Sequence, residues 1–194
     1  MSQYYYAVST LPMLFFEGDP SQGEEAFLEF CRDQLSSRDF EALTATRLVM
    51  DEATAGMTEL GREWFIHELG LRNSLVTLRA SGLGWDEEEY YHRDSSGRIW
   101  TDLPRVEEVV RSAVAAGDPL KSELALDRYR WELLDEFEVG HYFDLAKLQI
   151  YFLKLQILLR KALLGSEKGQ ESFDESYEEI RSAGLTTAFS EETE

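Results

Sequence analysis

A chain of 194 residues with 43% hydrophobic and 12% aromatic content is long enough to bury a real core and too apolar to be disordered. Its 38 acidic against 19 basic residues give a net charge of −19, which disfavours nucleic acid and anionic lipid and favours cations or basic protein surfaces. The single cysteine, Cys31, excludes an internal disulfide and a thiolate metal cluster, and fits a reducing cytosol.

The opening, Met1 to Phe16, holds the triplet Tyr4-Tyr5-Tyr6, then Leu11-Pro12-Met13-Leu14 and the pair Phe15-Phe16. It has neither a basic leader nor a small-residue cleavage site, so a secretory signal is not expected. So much aromatic area is expected to be tied into a core, because left exposed it would make an adhesive patch. The fully apolar runs are short, such as Ile150-Tyr151-Phe152-Leu153, so no membrane span is expected.

Turn chemistry at Asp19-Pro20-Ser21 precedes a predicted helix from Glu24 to Leu35, acidic in its first turn, with Phe27, Leu28, Phe30, Cys31 and Leu35 as its face. Ser36 and Asp39 have the spacing of a capping box for a helix through Phe40 and Leu43. Small residues at Ala53-Thr54-Ala55-Gly56 separate this from a stronger helix, about Leu60 to Ala80. There Trp64, Leu71, Leu75 and Leu78 share one side, and Phe65, Leu69 and Val76 a second, with Arg72 and Arg79 between them. Gly82-Leu83-Gly84 ends it. Asp86 to Arg98, with a triple glutamate, two tyrosines and a Ser-Ser-Gly turn, is a loop or a short element. Asp102 is placed to cap a helix entered through Pro104 and running through Val106, Val109, Val110 and Val114 to Gly117. Valine alone suggests a strand, but spacings of three and four favour helix. Ser122 to Phe137 is a further helix, carrying Leu124, Tyr129, Trp131, Leu133 and Leu134. With no repeat or low-complexity linker, residues 1–187 are predicted to form one all-α helical bundle, and 188–194 a frayed acidic tail.

The helix predicted from His141 to Leu164 is apolar on two sides. At ~100° per residue, Leu148, Phe152, Leu155 and Leu159 gather on one face and Ile150, Leu153, Ile157 and Leu164 on another, roughly opposite. Such a helix must be sandwiched, so it is predicted to be the doubly buried centre of the bundle. Two polar seams divide the faces: Gln149, Gln156 and Arg160 on one edge, Lys147, Lys154 and Lys161 on the other. The lysines recur every seven residues, and Asp144 is the only acid in the helix. They are either an internal seam paired with neighbouring glutamates or a basic stripe that faces a partner.

Chemistry-bearing motifs are sparse. Gly165-Ser166-Glu167-Lys168-Gly169 lacks the Gly-Lys-Ser/Thr of a phosphate loop and follows no strand. Cys31 lies on an apolar helix face, as a small buried hydrophobe would. The enzymatic alternative is a di-metal carboxylate bundle, in which Glu-x-x-His on two helices joins glutamates from two others. Glu89-Tyr90-Tyr91-His92 and Glu138-Val139-Gly140-His141 have that spacing. Gly140 at a helix junction, and the turn directly after His92, argue against it. The preferred reading is therefore a protein with no catalytic residues, no cofactor and no bound metal.

The Met1–Phe16 opening resembles an uncharacterised family encoded among the V-type ATPase genes of certain bacteria. Leu71-Arg72-Asn73-Ser74-Leu75-Val76-Thr77-Leu78-Arg79-Ala80 resembles a helix of the C-type stalk protein of V-type ATPases (d-type in eukaryotes). Leu126-Asp127-Arg128-Tyr129 and Ile150 to Arg160 are similar to the closing helices of that stalk protein. The resemblance implies an all-helical, non-catalytic, cytoplasmic protein, peripheral to the membrane through a complex. It would be a central-stalk adaptor between the soluble rotor and the membrane ring, with V-type ATPase subunits as its partners. Lys147, Lys154 and Lys161 are the candidate partner-binding residues.

Overall fold

Seven α-helices follow one another in the computed structural model, which describes residues 4–50, 57–101, 105–115 and 118–165. They are α1 (Tyr5–Thr10), α2 (Glu24–Gln34), α3 (Ser37–Thr44), α4 (Glu59–Leu83), α5 (Val106–Ala115), α6 (Pro119–Phe137) and α7 (Leu145–Leu164). One 3-10 turn, Glu87–Glu89, lies between α4 and α5, and an isolated antiparallel bridge joins Arg93 to Ile99. The all-α expectation holds among the described residues. The Ala53–Gly56 stretch, the Asp102 cap with Pro104, the Gly117 stop, Ser166 to Gly169 and the 188–194 tail lie outside them.

The two-sided pattern of α7 is realised in its packing. Leu148, Phe152 and Leu155 meet Phe27 and Cys31 of α2 and Leu43 of α3. Ile150, Leu153 and Ile157 meet Trp64, Phe65 and Leu69 of α4 and Trp131, Leu133 and Leu134 of α6. All six of those α7 side chains are fully buried, each worth roughly 1.5–3 kcal/mol. A third cluster, Leu71, Val106, Val110, Ala113, Leu126 and Tyr129, welds α4, α5 and α6 together.

The ends of the helices follow local chemistry, and two depart from expectation. Helix α7 begins at Leu145, not His141. Gly140 turns the chain at φ +92, where a Cβ would be strained, and Asp144 then caps the helix by accepting the Lys147 N–H at 3.0 Å. Helix α6 begins at Pro119, three residues before the predicted start. Asp118 accepts the Leu120 and Lys121 N–H groups, and Pro119 occupies the first turn, where no donor is missed. Thr58 caps α4 by accepting the Gly61 N–H at 3.0 Å, and Gly84 closes it at φ +70. The capping box on α3 is half formed. Ser36 accepts the Asp39 N–H at 3.2 Å, while the Asp39 carboxylate takes the Tyr4 hydroxyl.

The glutamine seam of α7 anchors the chain between α3 and α4. Gln149 donates to Thr46 Oγ1 at 2.6 Å and accepts from Thr58 Oγ1 at 3.0 Å, and Gln156 accepts the Leu48 N–H at 2.9 Å. No helix among the described residues is long and apolar enough to cross a membrane.

Candidate functional site

The lysine seam is built from α7, the end of α6 and the N-terminal segment. Lys147 donates to Glu138. Lys154 donates to Asp135 at 2.6 Å and to Glu138, and lies 5.4 Å from the Trp131 ring centroid. Lys161 reaches back to the Phe16 carbonyl and sits 5.0 Å over the Phe16 ring. Lys154 is only 8% exposed. Lys147 and Lys154 are thus paired with the acids that end α6, as in an internal seam, while Lys161 meets a backbone carbonyl, and Lys147 and Lys161 stay partly exposed. Burial works to raise the Glu138 carboxyl, but its hydrogen bonds from Lys147 and Lys154 outweigh burial and hold it below the usual carboxylate range.

Lys147, Lys154, Asp135 and Glu138 of this seam line a groove of about 570 Å³. Val8 and Leu11 to Leu14 of the N-terminal strap line it too, together with Val139 and Tyr151. The strap is anchored at intervals. Tyr4 bonds Asp39 and the Phe143 carbonyl, Ala7 is buried, and Phe16 packs edge-on to Trp131 at 5.6 Å beneath the Arg128 guanidinium. The described part of the N-terminus is tied into the core as expected, but not all of its aromatic area is covered. Tyr5 is 54% exposed, Tyr6 64%, Met13 77% and Phe15 62%. A six-residue helix cannot turn all of its aromatic side chains inward, and the strap after it runs over the surface. The α6–α7 turn adds exposed Val139, Tyr142 and Phe143, with the Phe143 ring tilted against Tyr5 at 4.6 Å between centroids.

A buried charged network escaped sequence reasoning. Glu68, Asp127 and Arg130 are nearly or wholly inaccessible, and Arg130 joins the other two. Arg160 extends the network from Asp127 (2.7 Å) to Glu123. Burial opposes the Arg130 charge, yet the Glu68 and Asp127 carboxylates more than offset it and raise its pKa. Burial pushes the Asp127 carboxyl up, against the pull of Arg130 and Arg160. The signal was there: Glu68 lies between Phe65 and Leu69, and Arg130 directly beside Tyr129 and Trp131, in the apolar phase of each helix.

The two Glu-x-x-His pairs are not assembled into a ligand set. Glu89 closes the exposed 3-10 turn beside α4, and His92 follows it on a loop. Glu138 is taken by two lysines, and His141 Nδ1 faces Asp144 at 2.6 Å. Among the described residues no three His, Cys, Asp or Glu side chains are placed to hold a metal.

No curated protein and no solved structure matches the chain. Residues 46–182, more than half of its length, match a family described as "Protein of unknown function (DUF2764)". The stretches that resemble the ATPase stalk protein fall inside that match, and the Met1–Phe16 opening falls outside it. The chain therefore belongs to the DUF2764 family.

Proposed function

We propose that this protein is a non-catalytic adaptor of a bacterial V-type ATPase, docking on the soluble rotor or the membrane ring through the surface around its N-terminal groove. The observation that carries this reading is the half-anchored strap. Tyr4, Ala7 and Phe16 fix it, while Tyr5, Tyr6, Met13 and Phe15 stay in water beside a groove lined by the ion pairs of Lys147 and Lys154 with Asp135 and Glu138. Exposed aromatic and methionine side chains on a fixed support are what interface anchors require. The resemblance of the opening and of α4 and α7 to the ATPase-linked families supports this choice of partner. The doubly packed α7 supplies the stiffness that torque transmission needs. In this reading the protein is cytoplasmic and meets the membrane only through the complex. The lysine seam then holds the strap in place.

Affinity purification of the tagged protein from its native cells at low salt tests the proposal. The expected result is recovery of V-type ATPase subunits, lost in a Met13→Asp/Phe15→Asp variant whose circular dichroism is unchanged. A wild-type protein that recovers none of the ATPase overturns the assignment. A variant that binds as well as wild type overturns the location.

A further inference from the structure

We propose that the exposed aromatic face where α4 ends is a second docking surface, and that its occupant is an arginine-bearing polypeptide segment of a partner protein. Gly84 reverses the chain in the left-handed conformation, and Trp85 then stacks on Tyr90 with centroids 5.5 Å apart and planes 24° from parallel. Trp85 is 57% exposed and Tyr90 48%, and Leu83 beside them is 59% exposed. Rings of this size are ordinarily covered on folding.

The platform is held, not loose. The Trp85 N–H donates to the Ala80 carbonyl at 3.0 Å, and the Tyr90 N–H to the Glu87 carbonyl at 3.0 Å. Asp86 caps the 3-10 turn through the Glu88 N–H at 3.1 Å, and the Tyr91 hydroxyl meets Thr77 Oγ1 at 2.7 Å. Little ordering remains to be done on binding.

Charge decides the occupant. Asp86, Glu87, Glu88 and Glu89 run consecutively between the two rings, and Arg93 answers one of them, Glu88, at 3.0 Å. An acidic segment, nucleic acid or anionic lipid is repelled here, and a neutral apolar segment would strip water from carboxylates without replacing it. A guanidinium can lie on a ring face and reach a carboxylate at once, which an ammonium does less well. The chain makes that ring contact itself: Arg98 lies 3.6 Å over the Trp100 ring and Arg128 4.1 Å over Phe16. The surface is separate from the N-terminal groove, and its occupant is independent of the ATPase reading.

The test is titration of the full chain with a short peptide of arginine and leucine, followed by the Trp85 indole N–H resonance and by calorimetry. Lysine-leucine and glutamate-leucine peptides serve as comparisons. The expected result is a shift of the Trp85 resonance, tightest with arginine and absent with glutamate. Trp85→Ala and Tyr90→Ala should each weaken binding about tenfold, and Trp85→Phe should restore most of it. Trp85 is largely in water, so these variants are expected to keep the wild-type fold. An unmoved Trp85 resonance, or a Trp85→Ala variant that binds as tightly as wild type, overturns the proposal, the latter leaving only diffuse charge attraction.

Discussion

Arg130 on α6 grips Glu68 on α4 through two parallel hydrogen bonds, Nε to Oε1 at 2.7 Å and Nη2 to Oε2 at 3.1 Å, with both side chains almost wholly out of water. The same guanidinium bonds Asp127 at 2.8 Å one turn earlier on its own helix. Removing one partner from such a set leaves an uncompensated buried charge. Arg130→Met should therefore lower stability by about 3–5 kcal/mol. Urea denaturation of this variant, beside Arg128→Met on the exposed face, measures the difference. Equal losses would mean that the network does not hold α4 to α6.

Asn73 pins the loop that follows the aromatic platform. Its amide nitrogen donates to the His92 and Trp100 carbonyls at 2.9 and 3.1 Å, and its oxygen accepts the His92 N–H at 2.8 Å. Asn73→Asp keeps the acceptor but loses both donors, so it should be nearly as damaging as Asn73→Ala. A loss of about 1–3 kcal/mol is expected for each buried group left unpaired. Hydrogen exchange in residues 90–101 should accelerate in both variants. Unchanged protection in the aspartate variant would show that the two carbonyl bonds are dispensable.

The Glu138 carboxyl is held below its ordinary range by Lys147 and Lys154. An acid with a lowered folded-state pKa adds stability above its unfolded value of about 4.3, and loses it as pH falls through the folded value. Glu138→Gln should consequently be less stable than wild type at pH 7, and the two should converge under acid. Denaturant midpoints of both proteins across pH check this. A gap that stays constant with pH would place the effect in packing, not charge.

Lys154→Glu sets a third acid beside Asp135 and Glu138 at a buried position, and is expected to damage folding before any binding is lost. Phe152→Ala, on the opposite packing face, should cost about 3–5 kcal/mol through lost burial and the cavity left behind. Circular dichroism and thermal melting separate these from a surface effect. A fully stable Lys154→Glu protein would show that the seam is not internal.

Cys31 is fully buried against α7, and burial pushes its thiol up to about 12. At pH 8 it is both covered and protonated, so alkylation should be slow in the native protein and become fast with unfolding in urea. Native-state labelling at the rate of a free thiol would mean that α2 is not docked on the core.

The helical period of α2, α4, α6 and α7 was legible in the chain, and with it the double burial of α7, because a repeat of 3.6 residues is a property of near neighbours. Capping chemistry was partly legible. Ser36 marked α3, and the Asp118-Pro119 pair held the true start of α6 although the apolar pattern began later. The start of α7 was not legible from periodicity, since the left-handed turn at Gly140 overrides a pattern that runs on through His141.

At the candidate site, the spacing of Lys147, Lys154 and Lys161 established that they share an edge of one helix. It carried no information on what that edge faces. Asp135 and Glu138 at the end of α6, and the Phe16 carbonyl of a strap 145 residues away in sequence, are what it meets. The exposure of Tyr5, Met13 and Phe15 was likewise decided by where the strap crosses α6 and α7, because composition reports how much apolar area exists and not which part is covered. The pairing of Glu68 with Arg130 spans 62 residues, and only the docking of α4 on α6 brings the two charges together. Sequence by itself determined the elements and their faces; the partners of those faces, and so the groove and the ionic core, came from tertiary packing, where contacts between distant residues are chosen.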